Sequence, residues 1–469
     1  VTGFALGLVL GAALAAQPAA LPGDTSSLAA FDAAWRIVRD THFDPGFNGV
    51  DWLLVRDELR PRVAAARAPG EARAVIQEML DRLGQSHFVL LPSEAVGNAP
   101  GPRSAGGGGG GDVGFDVRLL DRRIVVTSVT PGGPAASVGV RPGWIVEAID
   151  GESVGTALAR LPSALEPRLR SVEAWRVVTE RLRGQSGSAA RLRFVDGRGV
   201  AQVRSVERRP ETGDPVTVGA LPTFFVRTGH ERLRAPGGRT VGLIRFNVWM
   251  TPVDAAFGAA MEEFRGADGI VIDLRGNPGG LAGMLMGISG YFLDQPLALG
   301  TMKTRDTELK FVANPRRVNA AGDRVATYAG PLAILVDAMT GSASECFAGG
   351  MQALGRARVF GEPSMGQALP ALFDRLPNGD VLLHAYGDFV TANGTRLEGR
   401  GVAPDEVAPL ARVDLLAGRD RALEAAVAWI ARSPGARPAF ASPQPALLHY
   451  AHPRFSFQPS PRKPSRGNL

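Results

Sequence analysis

Ala333–Ala348, AILVDAMTGSASECFA, is the stretch on which the reading of this chain turns. Ala333–Val336 is an apolar run of strand length, and a small-residue elbow, Thr340-Gly341-Ser342-Ala343-Ser344, comes shortly after it. A helical pattern starts at once, with Phe347, Met351 and Leu354 apolar at helical spacing. A strand that turns through an elbow into a helix lifts a serine hydroxyl out of the sheet. It also sets that hydroxyl beside N–H groups that the first helical turn leaves without partners. Such donors suit a developing oxyanion. A plainer use of the same residues is that Ser342 or Ser344 simply caps the helix ahead of Glu345. The elbow alone leaves both uses open.

A second stretch adds to it. Gly269–Gly280, GIVIDLRGNPGG, reads as a buried parallel strand running into a glycine-rich turn. Gly361-Glu362-Pro363 follows another apolar run, Ala357–Phe360. Taken together, these segments resemble the tail-specific (C-terminal processing) peptidases and their tricorn-core relatives, across most of residues 238–412. The resemblance implies an α/β catalytic core. It also implies a Ser342 nucleophile on the Ser-Ala-Ser-Glu elbow, with oxyanion donors from Ala343 and the Gly279/Gly280 turn.

A serine hydroxyl needs a positioned proton acceptor. The processing peptidases use a lysine in a Gly-Glu-x-x-x-Gly-Lys segment, with a glutamine four residues on. Here Gln367 stands at the lysine position and Ala371 at the glutamine position. An amide cannot take the proton, and the three lysines, Lys303, Lys310 and Lys463, lie in no comparable motif. The tricorn-type branch instead uses a histidine from a Ser-His pair in the helical N-terminal region, with a glutamate near a Gly-Val-x-Pro-Asp signature. Ser86-His87 and Glu398, ahead of Gly401-Val402-Ala403-Pro404-Asp405, fit that pattern. By resemblance His87 is the general base, supported by Ser86 and Glu398 in the manner of a Ser-His-acid triad. Taken singly, His87 would read as a histidine closing a helix and Glu398 as a solvated loop carboxylate. His42 sits in an N-terminal aromatic patch with Phe43 and Trp52, His230, His384, His449 and His452 lack such neighbours, and Cys346 reads as core filler.

Residues 112–209 form a further unit. Strand patterns at Ile124–Val129 and Ile145–Ile149 flank the turn-rich Thr130–Val140, and Arg193–Arg208 alternates as β structure. The Pro-Ala-Ala…Gly-Val-x-Pro-Gly-Trp-Ile pattern resembles a PDZ domain, which captures an extended peptide at a sheet edge. That resemblance makes Gly114 and Phe115 the candidate carboxylate-binding loop. Thr156–Arg183 is helix-like and longer than such a domain needs, which reads as an insertion or lid, or as an ordinary surface helix.

The 469 residues, 45% hydrophobic, have room for several cores. The expected order is a leader at 1–24, a helical domain at 25–97, and a Gly-rich linker at 98–111. The PDZ-like unit at 112–209, the α/β core at 210–433 and a disordered tail at 434–469 follow. Val1–Ala20 is apolar then small, with an Ala13-Leu14-Ala15 cleavage pattern but no charged start, so export to a periplasm or the exterior is expected, with an uncleaved anchor as the alternative. No later stretch is apolar enough to span a membrane. The net charge of +6 is spread as arginine and forms no stripe, which speaks against a nucleic-acid partner. No metal-ligand spacing is seen, and neither metal nor cofactor is expected. The expected function is a serine endopeptidase acting on peptides or proteins. Its rival is an inactive binder of peptides or small hydrophobic ligands on the same fold, as in the repeats of the interphotoreceptor retinoid-binding protein.

Overall fold

Helix α1 (Thr25–Thr41) turns Phe31, Ala34, Trp35 and Val38 inward from one stripe, as the spacing predicts. It packs on α2 (Trp52–Ala64) and α3 (Pro69–Asp81), which bring Leu59, Val63, Ile76 and Met79 into the same cluster. Asp51 caps α2 by accepting from Leu54 N–H. Trp35 and Trp52 each donate an indole N–H to the other's carbonyl, at 2.8 and 3.1 Å. The cluster does not end with the helices. Leu369, Leu376, Leu382 and Ala385 complete it, and Val89–Leu91 pairs antiparallel with Val381–Leu383. The helical region is thereby docked on the far part of the chain. The computed structural model describes residues 25–95, 110–163, 165–219, 221 and 223–433. The expected leader at 1–24, tail at 434–469 and all of the 98–111 linker except Gly110 and Gly111 lie outside the described residues.

The β-rich unit is an antiparallel sheet of β1 (Phe115–Leu120), β2 (Arg123–Val129), β3 (Ile145–Ile149), β4 (Ala189–Val195) and β5 (Ala201–Glu207), in that order across the sheet. β1 forms one edge, with no strand on its outer side among the described residues. Helix α4 (Pro167–Leu182) buries Ala174, Val178 and Leu182 in the core of this unit. It is neither a detached lid nor a plain surface helix. Its N-terminal Arg168 reaches across to the carbonyls of Ser364, Gly399 and Arg400.

The third region is a sheet of β6 (Thr228–Arg234), β7 (Thr240–Phe246), β8 (Gly269–Asp273), β9 (Leu332–Val336), β10 (Arg358–Gly361) and β11 (Glu406–Val407). All neighbours from β7 onward run parallel, and only β6 is antiparallel. Parallel strands covered on both faces need unbroken apolar runs, and every residue of β9 is buried. Helices α5 (Pro252–Glu263) and α6 (Ala343–Ala353) cover one face, and α7 (Arg421–Arg432) covers the other through Ala422, Ala426 and Ile430. The sequence reads as one closing helix from Leu415 to Arg432. The structure breaks it at Gly418, whose φ is 68°, and Asp420 restarts α7 by accepting from Leu423 N–H. The fold is mixed α/β with an N-terminal helical region. The carboxyl ends of β8, β9 and β10 lie side by side, where such sheets open a crevice.

Candidate active site

The chain leaves β9 through a turn pinned by Asp337, whose Oδ1 accepts from Gly276 and Met339 N–H at 2.9 and 3.0 Å. Thr340 Oγ1 donates to Leu274 O, just past the end of the neighbouring strand β8. Ser342 then sits at φ 51°, ψ −120°, a backbone conformation that L-residues avoid at a typical cost of ~1–3 kcal/mol. Its surroundings hold it there. Ser342 N–H donates to Gln367 O at 2.8 Å and to Glu345 Oε2 at 3.1 Å, and Gly341 N–H donates to Asn277 O. The result is a strained strand-to-helix turn with a half-buried serine at its apex.

The Gly279/Gly280 turn lies against this apex. A Cβ on Gly279, at φ 107°, would stand 2.6 Å from Ser342 Cβ and 2.9 Å from Ala343 N, so only glycine leaves that space open. Gly280, at φ 138°, is pressed onto Trp249 O in the same way. The N–H groups are not equivalent. Gly279 N–H is already donated to Asn277 Oδ1 at 3.0 Å, whereas among the described residues the N–H groups of Gly280 and Ala343 have no acceptor. Gly279, expected as a donor, therefore lies against Ser342 with its N–H engaged, and of the three expected oxyanion donors Gly280 and Ala343 keep theirs without an acceptor among the described residues.

His87 follows the end of the helical region at φ 62° and is buried. Its Nδ1 is 2.7 Å from Ser86 Oγ, and Ser86 Oγ donates to Glu398 Oε2 at 2.9 Å. Ser86 N–H also donates to Glu398 Oε1 at 2.9 Å, and Ala368 N–H donates to Oε2 at 2.9 Å. Since Ser86 spends its hydroxyl hydrogen on Glu398, it accepts from His87, which puts the imidazole proton on Nδ1 and leaves Nε2 bare. Burial pushes the His87 pKa down to about 4, so the ring is neutral at pH 7. Burial likewise raises the Glu398 pKa, against its three donors.

One peptide unit ties the two halves together. The Gln367–Ala368 peptide accepts from Ser342 N–H through its carbonyl and donates to Glu398 through its N–H. No hydrogen bond joins Ser342 Oγ to His87 among the described residues; such contacts are often long before substrate binds.

Glu345 is the participant that the sequence shows only as a possible cap partner. It is fully buried, and its carboxylate gathers Ser364 Oγ at 2.5 Å and Gly366, Gln367 and Ser342 N–H at 2.6, 3.0 and 3.1 Å. Burial pushes its pKa up to about 7. Ser344, the other candidate in the elbow, is buried and accepts from Trp249 Nε1 at 2.8 Å, so Ser342 is the serine that remains half exposed. Cys346 is buried, in the place of a core residue. His42 pairs with Gln85 Oε1, and His384 lies between Thr41 Oγ1 and Asp374 Oδ2; both fasten the helical region and meet no part of the elbow.

The β-rich unit reaches the same place through Arg118 on β1, which pairs with Asp337 Oδ2 at 3.0 Å and Asp116 Oδ2 at 2.5 Å. Trp175 of α4 donates to Asp116 Oδ1 at 2.9 Å, closing helix and edge strand over the catalytic turns. Gly114, at φ 79°, donates its N–H to Asp112 Oδ1, and Phe115 is packed edge-on against Phe194. Neither of these two residues touches the Ser342 elbow. Among the described residues no cluster of side chains could hold a metal ion.

Known proteins share this architecture. Residues 240–408 match Peptidase family S41, and residues 27–81 match the tricorn protease C1 domain. A carboxyl-terminal-processing protease of Synechocystis sp. is 27% identical over 394 residues, covering 82% of this chain and 83% of that protein. The chloroplastic carboxyl-terminal-processing peptidase 2 of Arabidopsis thaliana is 26% identical over 384 residues, covering 81% and 68%. Among solved structures, the photosystem II D1 C-terminal processing protease aligns with a TM-score of 0.55 at 23% identity, over 82% of this chain and 93% of that one.

Proposed function

We propose that the chain, whose residues 240–408 match Peptidase family S41, is a serine endopeptidase working through Ser342, His87, Ser86 and Glu398. The peptide lies along the free edge of β1, beside α4, in the manner of a PDZ-like unit, with the Gly114–Phe115 turn at the end of that edge. Ser342 Oγ attacks the scissile carbonyl and passes its proton to His87 Nε2. The imidazolium charge is then balanced by Glu398 through Ser86, and the oxyanion is held by Gly280 and Ala343 N–H. His87 returns the proton to the leaving amine, and water hydrolyses the acyl-enzyme by the same steps in reverse order. Export to a periplasm or the exterior belongs to the same proposal and rests on Val1–Ala20; among the described residues no helix is long and apolar enough to cross a membrane.

The observation that carries this reading is the Glu398–Ser86–His87 relay, which leaves a bare imidazole nitrogen and is joined to Ser342 by a single peptide unit. The rival, an inactive binder, draws support from Gln367 at the lysine position and from the missing Ser342–His87 hydrogen bond. A fluorophosphonate probe separates the two. Labelling of Ser342 that disappears in Ser342→Ala and in His87→Ala is expected; an unreactive wild-type chain would make it a binder.

A further inference from the structure

A cavity of about 160 Å³ opens between α4, residues 223–227 and the catalytic turns. Val172, Trp175, Phe224, Val248, Met339 and Met365 give it an apolar wall, and it is also lined by Gly276 and Pro278, just ahead of the Gly279 turn, and by Gln367, whose carbonyl accepts from Ser342 N–H. Glu173 also lines it, and Glu173 is 3% exposed. Arg176 occupies Glu173 Oε2 with two hydrogen bonds, while Oε1 is buried without a hydrogen-bond partner among the described residues. A buried carboxylate oxygen with no donor is rare and unfavourable.

We propose that this cavity is a subsite of the peptidase and that it takes a tyrosine side chain next to the scissile bond, with the phenol hydroxyl donating to Glu173 Oε1. The inference rests on the assignment of Ser342 as nucleophile. Size is its first support: an apolar cavity of ~150 Å³ is known to hold one benzene ring. Chemistry is the second. An aliphatic or phenylalanine side chain would fill the space and leave Oε1 orphaned. A lysine or arginine would supply a donor, but it would enter among four guanidinium groups, Arg118, Arg176, Arg183 and Arg227, against three carboxylates, Asp116, Glu173 and Glu211. An acidic side chain would meet Glu173 itself. A neutral ring tipped with a donor satisfies every wall. Helix α4 thus has a task that its length alone does not reveal: it carries Val172, Glu173 and Trp175 over the site.

The test uses the full chain and fluorogenic peptides that differ only by Tyr, Phe, Trp, Lys or Leu at each position around the cleaved bond. At one position adjoining that bond, tyrosine should exceed phenylalanine at least tenfold in kcat/KM. Glu173→Leu should bring the ratio to one or below, and Glu173→Gln, which keeps an acceptor oxygen, should retain part of it. No tyrosine preference at any position, a tryptophan or lysine optimum, or a preference that survives Glu173→Leu overturns the proposal. A chain that cuts no peptide and resists fluorophosphonate refutes the peptidase assignment instead. The subsite is then read by calorimetry on Ser342→Ala, where N-acetyltyrosinamide should bind more tightly than N-acetylphenylalaninamide and equal binding overturns it.

Discussion

Ser342 and His87 both occupy positive φ, 51° and 62°, yet the chain holds them there by different means. Around Ser342 the restraints are mostly backbone groups of adjoining turns: Asn277 O, Gln367 O and the helix that starts at Ala343. Around His87 they are side chains from opposite ends of the sequence, with Ser86 and Glu398 312 residues apart. The nucleophile half is therefore a property of one strand–turn–helix unit and its sheet neighbours. The base half exists only when the helical region docks on the core. Damage to the first should cost chemistry with the fold intact, whereas the second couples chemistry to docking.

The largest effects should fall on the reacting atoms in either half. Ser342→Ala and His87→Ala are each expected to lower kcat on the order of 10⁶-fold, the scale seen when a member of such a pair is removed. Combining them should cost little more, since each already breaks the same proton transfer. Full peptide hydrolysis by His87→Ala would mean that another group accepts the proton, and the two-half comparison would have to be redrawn.

Glu398→Gln tests the relay without touching a reacting atom. An amide with its NH2 at the Oε2 place faces Ser86 Oγ and Ala368 N–H, so Ser86 spends its own hydrogen on His87 Nδ1 and the imidazole proton moves to Nε2; with its NH2 at the Oε1 place it faces Ser86 N–H and the relay stays. The first arrangement gives the wrong tautomer and a loss of up to ~10⁴-fold in kcat, by analogy with an Asp→Asn change in a Ser-His-Asp triad, and either one leaves a buried backbone N–H unpaired. A fold destabilised with activity per folded molecule unchanged would make Glu398 a docking residue only.

His87 in the one half and Glu345 in the other should also respond oppositely to pH. His87 has its pKa lowered from 6.5 to about 4, so the unfolded state binds more protons between these values. Its contribution to stability is present above 6.5 and is lost as pH falls through about 4. Glu345 has its pKa raised from 4.5 to about 7, so its contribution is present below 4.5 and is lost as pH rises through about 7. Urea midpoints measured from pH 4 to 7 and taken as differences from the wild type should fall with pH in His87→Ala and rise with pH in Glu345→Gln. Parallel curves for the two variants would remove the contrast. The acid limb of kcat/KM should centre near pH 4, where His87 takes up its proton.

This contrast also explains what the sequence made legible. Strands β8 and β9, the Ser342 elbow and the glycine turn are local, and each shows itself as an apolar run ending in small residues. The resemblance then supplied the partners Ser86, His87 and Glu398, which no local pattern joins. Three features were not legible. Glu345 shows in sequence only as the fourth residue of a capping pattern, because three of its four donors come from a loop some twenty residues on. The division of labour between Gly279 and Gly280 depends on Asn277 folding its side chain back on the turn. The break at Gly418 was signalled by glycine, but the apolar spacing on either side runs through it.

The smallest expected effect is at Gln367, and it sharpens the comparison most. A position that holds the catalytic lysine in the processing peptidases would ordinarily be among the most sensitive in the site. Here only the backbone of Gln367 is engaged: its carbonyl takes Ser342 N–H, and its N–H goes to Glu345 Oε2. Among the described residues no hydrogen bond is made by the Gln367 side chain. Alanine keeps both backbone bonds and adds no steric demand, so Gln367→Ala should lower kcat/KM by no more than about threefold, even though the side chain it removes is buried and lines the cavity beside the elbow. Proline at the same position removes the N–H to Glu345 and restrains the residue before it, so it should disturb the Ser342 elbow severely. A large loss in the alanine variant, with Ser342 still reactive toward a fluorophosphonate, would show that the amide takes part in binding the peptide. The base half would then extend one residue into the loop that currently belongs to the nucleophile.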